Sequence, residues 1–416
     1  MKQPKLWTKN FSLIVIGQII SLFGNNILRF ALSMVILDMT GSVTIFATYL
    51  AISMIPTVLL SLFGGILADR VNRRNIMVGL DFLTSIFIFV FALIFHTYTF
   101  TMWIGVLLVL LSIIQSFYQP AVQSSIPIVV DQKYLMPANG IVIEVNALAS
   151  LIGPILGGIL YGFYGLYPIL WVSTACFFFS AILEIFIKLP KTKIEKGKNI
   201  FKTITTDFKS AFSFLIKKQK NLFYLLLIVA LLNFSLSSML LVGLPFIIKI
   251  LLGFSNQSYG YIEAAMGVGS ILGGIFSGIV AKKLSFKKSY LFLFFSSIAI
   301  IPIAIATMNL GNVNLSYFLV LISVILSMLC ATLFTVFAQT FMQKLTPNAM
   351  LGKVASVVTI LSMCAMPLGQ ATYGLLFGNI KETYIILFIS IIVCIILTFF
   401  SKKIIGNLSL SLEETE

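Results

Sequence analysis

Histidine occurs once, at His96, and cysteine four times, as Cys176, Cys330, Cys364 and Cys394, each alone in its own apolar stretch. With no His or Cys at ligand spacing there is no basis for a metal centre or a redox pair. The thiols read as packing groups, and His96 as a wetted residue at the outer end of a stretch. A glycine-rich phosphate loop ending in lysine is absent, which excludes ATP as a drive within this chain. No His, Cys, Asp and Ser group with catalytic spacing is present either, which argues against an enzyme. Charge is scarce above all: 10% of the 416 residues are charged, against 59% hydrophobic. So little polar surface excludes a water-soluble protein and places the chain in lipid.

What is there is a succession of apolar runs, each about 20 residues or longer and so able to cross a hydrocarbon core about 30 Å thick. Twelve are expected, at about 11–37, 43–68, 75–96, 101–128, 138–163, 167–188, 221–248, 258–281, 288–308, 314–343, 352–378 and 383–401. A net charge of +15 would suggest nucleic acid for a soluble protein, but here the position of each cation matters more. Of the 28 Lys and Arg, only Arg29, Lys249 and Lys381 fall outside the termini and the even-numbered connections. Those ends and connections are therefore expected in the cytoplasm. Lys2, Lys5 and Lys9 precede a first run too long for a signal-peptide core and lacking a small-residue cleavage site, so it reads as a retained span.

The chain divides into an N-terminal half at 1–189, a basic cytoplasmic linker at 190–220, a C-terminal half at 221–403 and a short cytoplasmic tail at 404–416. In the linker Phe201, Ile204, Phe208, Phe212 and Leu215 recur at helical spacing among lysines, which fits either a helix lying on the inner leaflet or a solvated basic loop. The end of the tail, Glu413 to Glu416, is expected to be disordered.

Two internal repeats tie the halves together. Gly65, Asp69, Arg70, Arg73 and Arg74 after the second run return in degenerate form as Gly278, Lys282, Lys283, Lys287 and Lys288. Gly153, Gly158 and Gly162 align with Gly369, Gly374 and Gly378. Related halves in tandem follow. Gly-x-x-x-Asp-Arg-x-x-Arg-Arg between spans 2 and 3 resembles the signature loop of the major facilitator superfamily, with Asn72 where glycine is common. A residue tolerant of left-handed backbone suits that turn. The resemblance implies an all-α integral membrane fold of twelve transmembrane helices in two pseudo-symmetric six-helix halves. It also implies that Gly65, Asp69, Arg70, Arg73 and Arg74 act as a conformational latch.

Span 5 carries Gly140, Ala149, Gly153, Pro154, Gly157 and Gly158, which resembles the motif of exporters and antiporters in that superfamily. Ala149, Gly153 and Gly157 make a small-residue stripe for close helix packing, and Gly260, Ala264, Gly267, Ile271, Gly274 and Gly278 in span 8 are the expected partner stripe. The tracts Phe117–Pro127, Leu135–Gly140, Gln343–Val354 and Pro367–Gly369 resemble the macrolide-efflux branch.

Polar faces at helical spacing are costly in lipid unless protein covers them. Span 1 has Gln18, Ser21, Asn25, Arg29 and Ser33; span 4 has Gln115, Gln119 and Gln123; span 7 has Asn233 and Ser237; span 10 has Thr332, Thr335, Gln339 and Gln343. Either they bond neighbouring helices or they line a path, and by resemblance spans 1, 4, 7 and 10 line the central one. Met363 and Met366 share a face of span 11 with Gln370, an adaptable surface for varied ligands. Arg29 needs a carboxylate, carbonyls or an anion. Glu144 and Glu263, expected inside the bundle, are the candidate proton carriers, whereas Asp81 and Glu184 read as inner-surface partners of Arg or Lys, and Asp38 and Lys249 as outer-surface groups. Span 4 lacks the embedded arginine that many proton-coupled relatives carry, which leaves Arg29 as a substitute.

The expectation is a secondary active transporter in the plasma membrane. It exports amphipathic or hydrophobic small molecules, macrolide-like or of other drug classes, by alternating access with proton antiport. No cofactor is expected beyond a proton or other ion gradient. The expected partners are a small-molecule substrate and membrane lipid, with no nucleic acid and no obligatory protein. The alternatives are a lipid or lysolipid translocator, an uptake permease of the same fold, and a non-transporting membrane scaffold or sensor.

Overall fold

The structure is a computed structural model that describes residues 6–95, 101–189, 200–283, 286–308 and 311–413. His96, the first part of the linker and the last three residues of the tail lie outside the described residues. Among the described residues the regular structure is helical: α1 (Lys9–Thr40), α2 (Val43–Arg70), α3 (Arg73–Phe95), α4 (Thr101–Val129), α5 (Leu135–Tyr164), α6 (Leu166–Ile185), α7 (Ile200–Lys217), α8 (Lys220–Leu232), α9 (Ser238–Pro245), α10 (Asn256–Lys283), α11 (Tyr290–Ile298), α12 (Ile301–Ala306), α13 (Val313–Leu345), α14 (Asn348–Asn379) and α15 (Thr383–Glu413). Eleven helical stretches are long and apolar enough to cross a membrane, and Tyr290–Ala306 is a shorter apolar one. That stretch is the ninth span.

Local chemistry sets the ends and breaks. Thr8 caps α1, its hydroxyl accepting from the Phe11 N–H at 3.1 Å. Gly41, at φ 58°, then turns the chain out of the helix while its N–H returns to the Leu37 carbonyl. The ninth span breaks where Pro302, with no N–H to give, occupies the first turn of α12. The seventh span runs from α8 to Leu251 through two wide turns of i to i+5 type, Asn233–Ser237 and Phe246–Leu251. Neither wide turn was legible in the polar spacing.

Contacts gather the chain into two compact units. The first comprises Met1–Gly41, Ile52–Gly197 and Ser255–Tyr261; the second comprises Ser42–Ala51, Lys198–Phe254 and Ile262–Glu416. In the first, α1 packs on α4, α5 and α6, and α3 on α4 and α6. Phe11, Val15 and Leu22 of α1 join Val142, Val145 and Ala149 of α5 in one core cluster, and Ile14 joins Met77 of α3 and Tyr118 of α4 in another. Lipid tails are as apolar as leucine, so close packing and hydrogen bonds of about 0.6 kcal/mol each hold such helices together.

In the second unit Ser296 of α11 and Ser327 of α13 exchange hydroxyl-to-carbonyl bonds at 3.0 and 3.2 Å. The linker forms α7, which buries Ala211 and Leu215 and packs on α8 and α14, so the helical alternative for that segment is the one observed. Phe212 stacks on Phe208 and meets Phe223 edge-on. The side chains of Phe201 and Ile204 are outside what is described. α15 continues to Glu413, so residues 404–413 extend the last helix and do not form a separate tail.

Candidate functional site

The second unit encloses a cavity of about 350 Å³ between α8, α13 and α14, where Asn233, Thr335, Gln339, Met342, Ser362 and Met363 face apolar neighbours. Its polar groups come from the wide turn and from α13. Asn233 opens that turn, donating from Nδ2 to the Val229 carbonyl at 3.2 Å, while Ser238 reaches back to the Asn233 carbonyl at 2.8 Å across five residues. Turns of this kind inside α-helices frequently mark functional positions. Thr335 and Gln339 are one turn apart on α13, and Met363 and Met342 supply adaptable apolar wall.

The three methionine-face residues of span 11 separate. Met363 lines the cavity, Met366 offers its carbonyl to Ser238 at 3.0 Å, and Gln370 is buried. Met342 and Ser362 were missed by sequence reasoning, although Met342 follows Gln339 by three residues and shares its helical face.

In the first unit the polar stripe of α1 turns inward. Gln18, Ser21, Asn25 and Ser33 are buried, and Arg29 is half-buried with its guanidinium donating to Ser112 of α4 at 2.9 Å. The bonding partner of Arg29 is thus a hydroxyl, which no sequence pattern indicated. Gln119 of α4 meets Asn146 of α5 at 3.5 Å, and Gln115 beside it is half-buried.

The acidic residues depart most from expectation. Glu144 is exposed, so its expected burial does not hold, and Glu263 is half-buried on α10. Asp81 and Glu184, expected at the inner surface with Lys or Arg partners, are instead buried at 2% and 0% exposure. Their partners are hydroxyls: Ser21 stands 2.5 Å from Asp81, and Tyr118 donates to Glu184 at 2.7 Å. The reason is packing: α3 and α6 lie against each other and α6 against α1, and Gly17 leaves the room that the Glu184 side chain fills. Asp38 does lie outside, accepting from Tyr161 at 2.8 Å and Asn256 at 3.3 Å.

At the loop after α2, Arg73 donates from Nε to Ser124 of α4 at 2.9 Å. Asn72 caps α3, its Oδ1 accepting from the Arg74 N–H at 3.1 Å. Arg70 is exposed, and the Asp69 side chain is outside what is described. Gly65 has open space around it; the glycine of close approach is Gly64, where a β-carbon would strike the Ser116 carbonyl of α4.

The glycine repeat has matching partners in the two units. Gly153 rests on Asn26 of α1, while Gly158 and Gly162 meet Gly260 and Gln257 at the start of α10. Gly369 rests on Phe234 and Ser238, while Gly374 and Gly378 meet Ala47 and Thr44 at the start of α2. The expected partnership of the span 5 stripe with span 8 is corrected in part. Gly153 and Gly157 pack on α1, only Gly260 of the span 8 stripe is seen against α5, and Gly274 and Gly278 face open space. The close helix contact of α10 runs through Gly269 and Gly273 onto Ile325 and Leu329 of α13. Gly140 also faces open space, and Pro154 lies within an unbroken α5.

Twelve spans, with paired glycine triplets in the two halves, define a multi-pass membrane transporter of helical bundles. A family model described as Major Facilitator Superfamily matches residues 14–370, and the chain belongs to that superfamily. Macrolide efflux protein A of Streptococcus pyogenes is 22% identical over 405 residues, covering 95% of this chain and 96% of that protein. A protein of the same name from Enterococcus faecalis is 22% identical over 335 residues, 78% of this chain and 99% of its own. Among solved structures, a bacterial homologue of the iron transporter ferroportin in an inward-facing state matches with TM-score 0.71 at 17% identity, over 96% of this chain and 98% of that one. Identity that low speaks for the fold alone.

Proposed function

We propose that this protein exports amphipathic or hydrophobic small molecules of macrolide-like or other drug classes, by alternating access with proton antiport. It works in the plasma membrane with both termini in the cytoplasm, where the lysine-rich ends and even-numbered connections favour them. The observation that carries the reading is the cavity in the second unit. Two amide side chains, Asn233 and Gln339, orient a ligand, and Met342 and Met363 adapt to its apolar body. The relatives named for macrolide efflux agree with such a ligand. In this proposal no cofactor is needed beyond the ion gradient, and the partners are the solute and membrane lipid alone, without nucleic acid or an obligatory protein. The loop of Gly65, Asp69, Arg70, Arg73 and Arg74 serves as the conformational latch, with Arg73 tied to α4 through Ser124.

The test is efflux of macrolides and dyes from cells expressing the protein, with and without collapse of the proton gradient. Gradient-dependent efflux supports the proposal. Efflux of no probe, together with rapid leaflet exchange of labelled lysolipid by the purified protein, replaces it with the lipid translocator. That second reading draws on a groove between α8 and α15 in which Tyr224, Leu231 and Phe400 lie beside Lys403, chemistry suited to an acyl chain and an anionic headgroup.

A further inference from the structure

The proposed export leaves unused the most unusual chemistry of the first unit, the buried hydroxyl and carboxyl cluster between α1, α3, α4 and α6. Asp81 comes from α3, Tyr118 from α4, Ser180 and Glu184 from α6, and Gly17, Gln18 and Ser21 from α1. Each of these side chains is at most 4% exposed. The two carboxyl groups are near enough to act on each other electrostatically, and Tyr118 stands by both. Among the described residues no Lys or Arg is bonded to either one. From α1 the facing groups are neutral, and Arg29 lies eight residues further on, about 12 Å along the helix, bonded to Ser112.

Three hydroxyl protons serve this cluster, and all are committed. Ser180 donates to the Gly17 carbonyl at 3.0 Å and Tyr118 to Glu184 Oε1 at 2.7 Å. Ser21, 2.5 Å from Asp81 and 2.8 Å from Ser180, has a single proton to give between them. Glu184 Oε2 is left with no partner. The buried amide of Gln18, next to the Gly17 on which Glu184 rests, has a partner for neither its nitrogen nor its oxygen. Two neighbouring carboxylates without a cation are costly to bury, and an unfilled acceptor adds to that cost. A proton on a carboxylate oxygen removes one charge and needs no additional space. A metal ion of the hard class takes six or more oxygens, and no group of three His, Cys, Asp or Glu stands together among the described residues.

We propose that Asp81 and Glu184 form a proton-binding site inside the first bundle, with Ser21, Ser180 and Tyr118 as its hydrogen-bonding shell, and that this site couples export to the proton gradient. The step is the addition of one proton to a carboxylate oxygen and its later departure, with no electron transferred. Ser21 and Gln18 lie on the same helix as Arg29, so a change of charge at the pair acts on α1 directly. The coupling role rests on the antiport reading; the existence of the proton site does not.

The test separates the two. Infrared difference spectra of the purified full chain in lipid, stepped between acid and alkaline pH, read the carbonyl band of a protonated carboxyl. The proposal expects a band that is lost in Glu184→Gln or Asp81→Asn, shifted in Tyr118→Phe, and unchanged in Glu382→Gln, which alters an exposed acid. A wild-type spectrum shared by Glu184→Gln, Asp81→Asn and Tyr118→Phe overturns the site. A band that responds to sodium, potassium or manganese at fixed pH overturns it in favour of a metal ion. In proteoliposomes, Glu184→Gln should lower gradient-driven macrolide transport roughly tenfold or more while solute counterflow stays within about twofold of wild type. Equal loss of both overturns the coupling role. If wild-type transport ignores the gradient, the antiport reading and the coupling role fall together, and the spectra still decide whether the pair binds a proton.

Discussion

Gly158 of α5 and Gly260 of α10 meet backbone to backbone: a β-carbon on Gly158 would stand 2.8 Å from the Gly260 Cα. No flexible side-chain end can yield there, so Gly158→Ala must push the two helices apart. We expect a loss of stability of about 1–3 kcal/mol from such overpacking. Gly274→Ala, on the same α10 but in open space, should be neutral or stabilising by about 0.5–1 kcal/mol. Thermal unfolding of the two variants in one detergent checks the contrast, and equal melting temperatures would remove the proposed contact.

The cavity residues should affect affinity more than abundance. Gln339→Ala removes one of two amides from the lining, so the half-saturating concentration for a transported macrolide should rise roughly fivefold to tenfold. Gln343→Ala, exposed one turn further along α13, should leave it near wild type. Concentration-dependent transport with both variants at matched expression is the measurement.

Gln18 is buried at 0% exposure with neither amide atom bonded. Gln18→Met keeps the length of the side chain and removes both orphaned groups, so the melting temperature should rise, by the equivalent of about 1–3 kcal/mol. If the amide serves proton passage, transport should fall in the same variant. A drop in both would show that the amide has a bonding partner in the working protein.

Arg29 bonds to the hydroxyl of Ser112. Ser112→Ala should cost about 1.5–3 kcal/mol, the range for a hydrogen bond to a charged group, and Ser112→Thr should recover most of it. Chemical denaturation of the three proteins decides.

Asp69→Asn, in the loop proposed as a latch, should reduce turnover more than abundance, because it changes one charge and leaves every span apolar. Normal transport at normal abundance would remove Asp69 from the latch. Ser124→Ala, which takes away the hydroxyl that Arg73 holds at 2.9 Å, should act in the same direction.

Length and hydropathy were enough to place all twelve spans, because a membrane leaves so few ways to satisfy a backbone. The glycine repeat was equally legible, since Gly158 and Gly374 each occupy a position where any side chain would collide. The partners of those glycines were not. Periodicity gives the face of a helix but not the helix opposite, so Gly153 and Gly157 were matched to span 8 when they pack on α1. Asp81 and Glu184 were misread for a related reason. Both lie within two or three turns of basic loop residues in the chain, which suggests ion pairs, whereas the packing of α3 and α6 turns them away from those loops toward Ser21 and Tyr118. The wide turn at Asn233 left no pattern at all, because the bond from Ser238 to the Asn233 carbonyl spans five residues of ordinary composition.

That wide turn also affects how this chain should be aligned with other members of its superfamily. It holds about one residue more than an α-helical turn, so a relative with a straight seventh span is expected to carry a one-residue gap at this place. Deleting a single residue within 233–237 should straighten the span and rotate everything beyond it by about 100°. Ser238 would then leave the Met366 carbonyl, and Gly243 the ring of Phe377 that it now accommodates. Length variation at one position of the gene would thus re-aim half a helix without changing its composition.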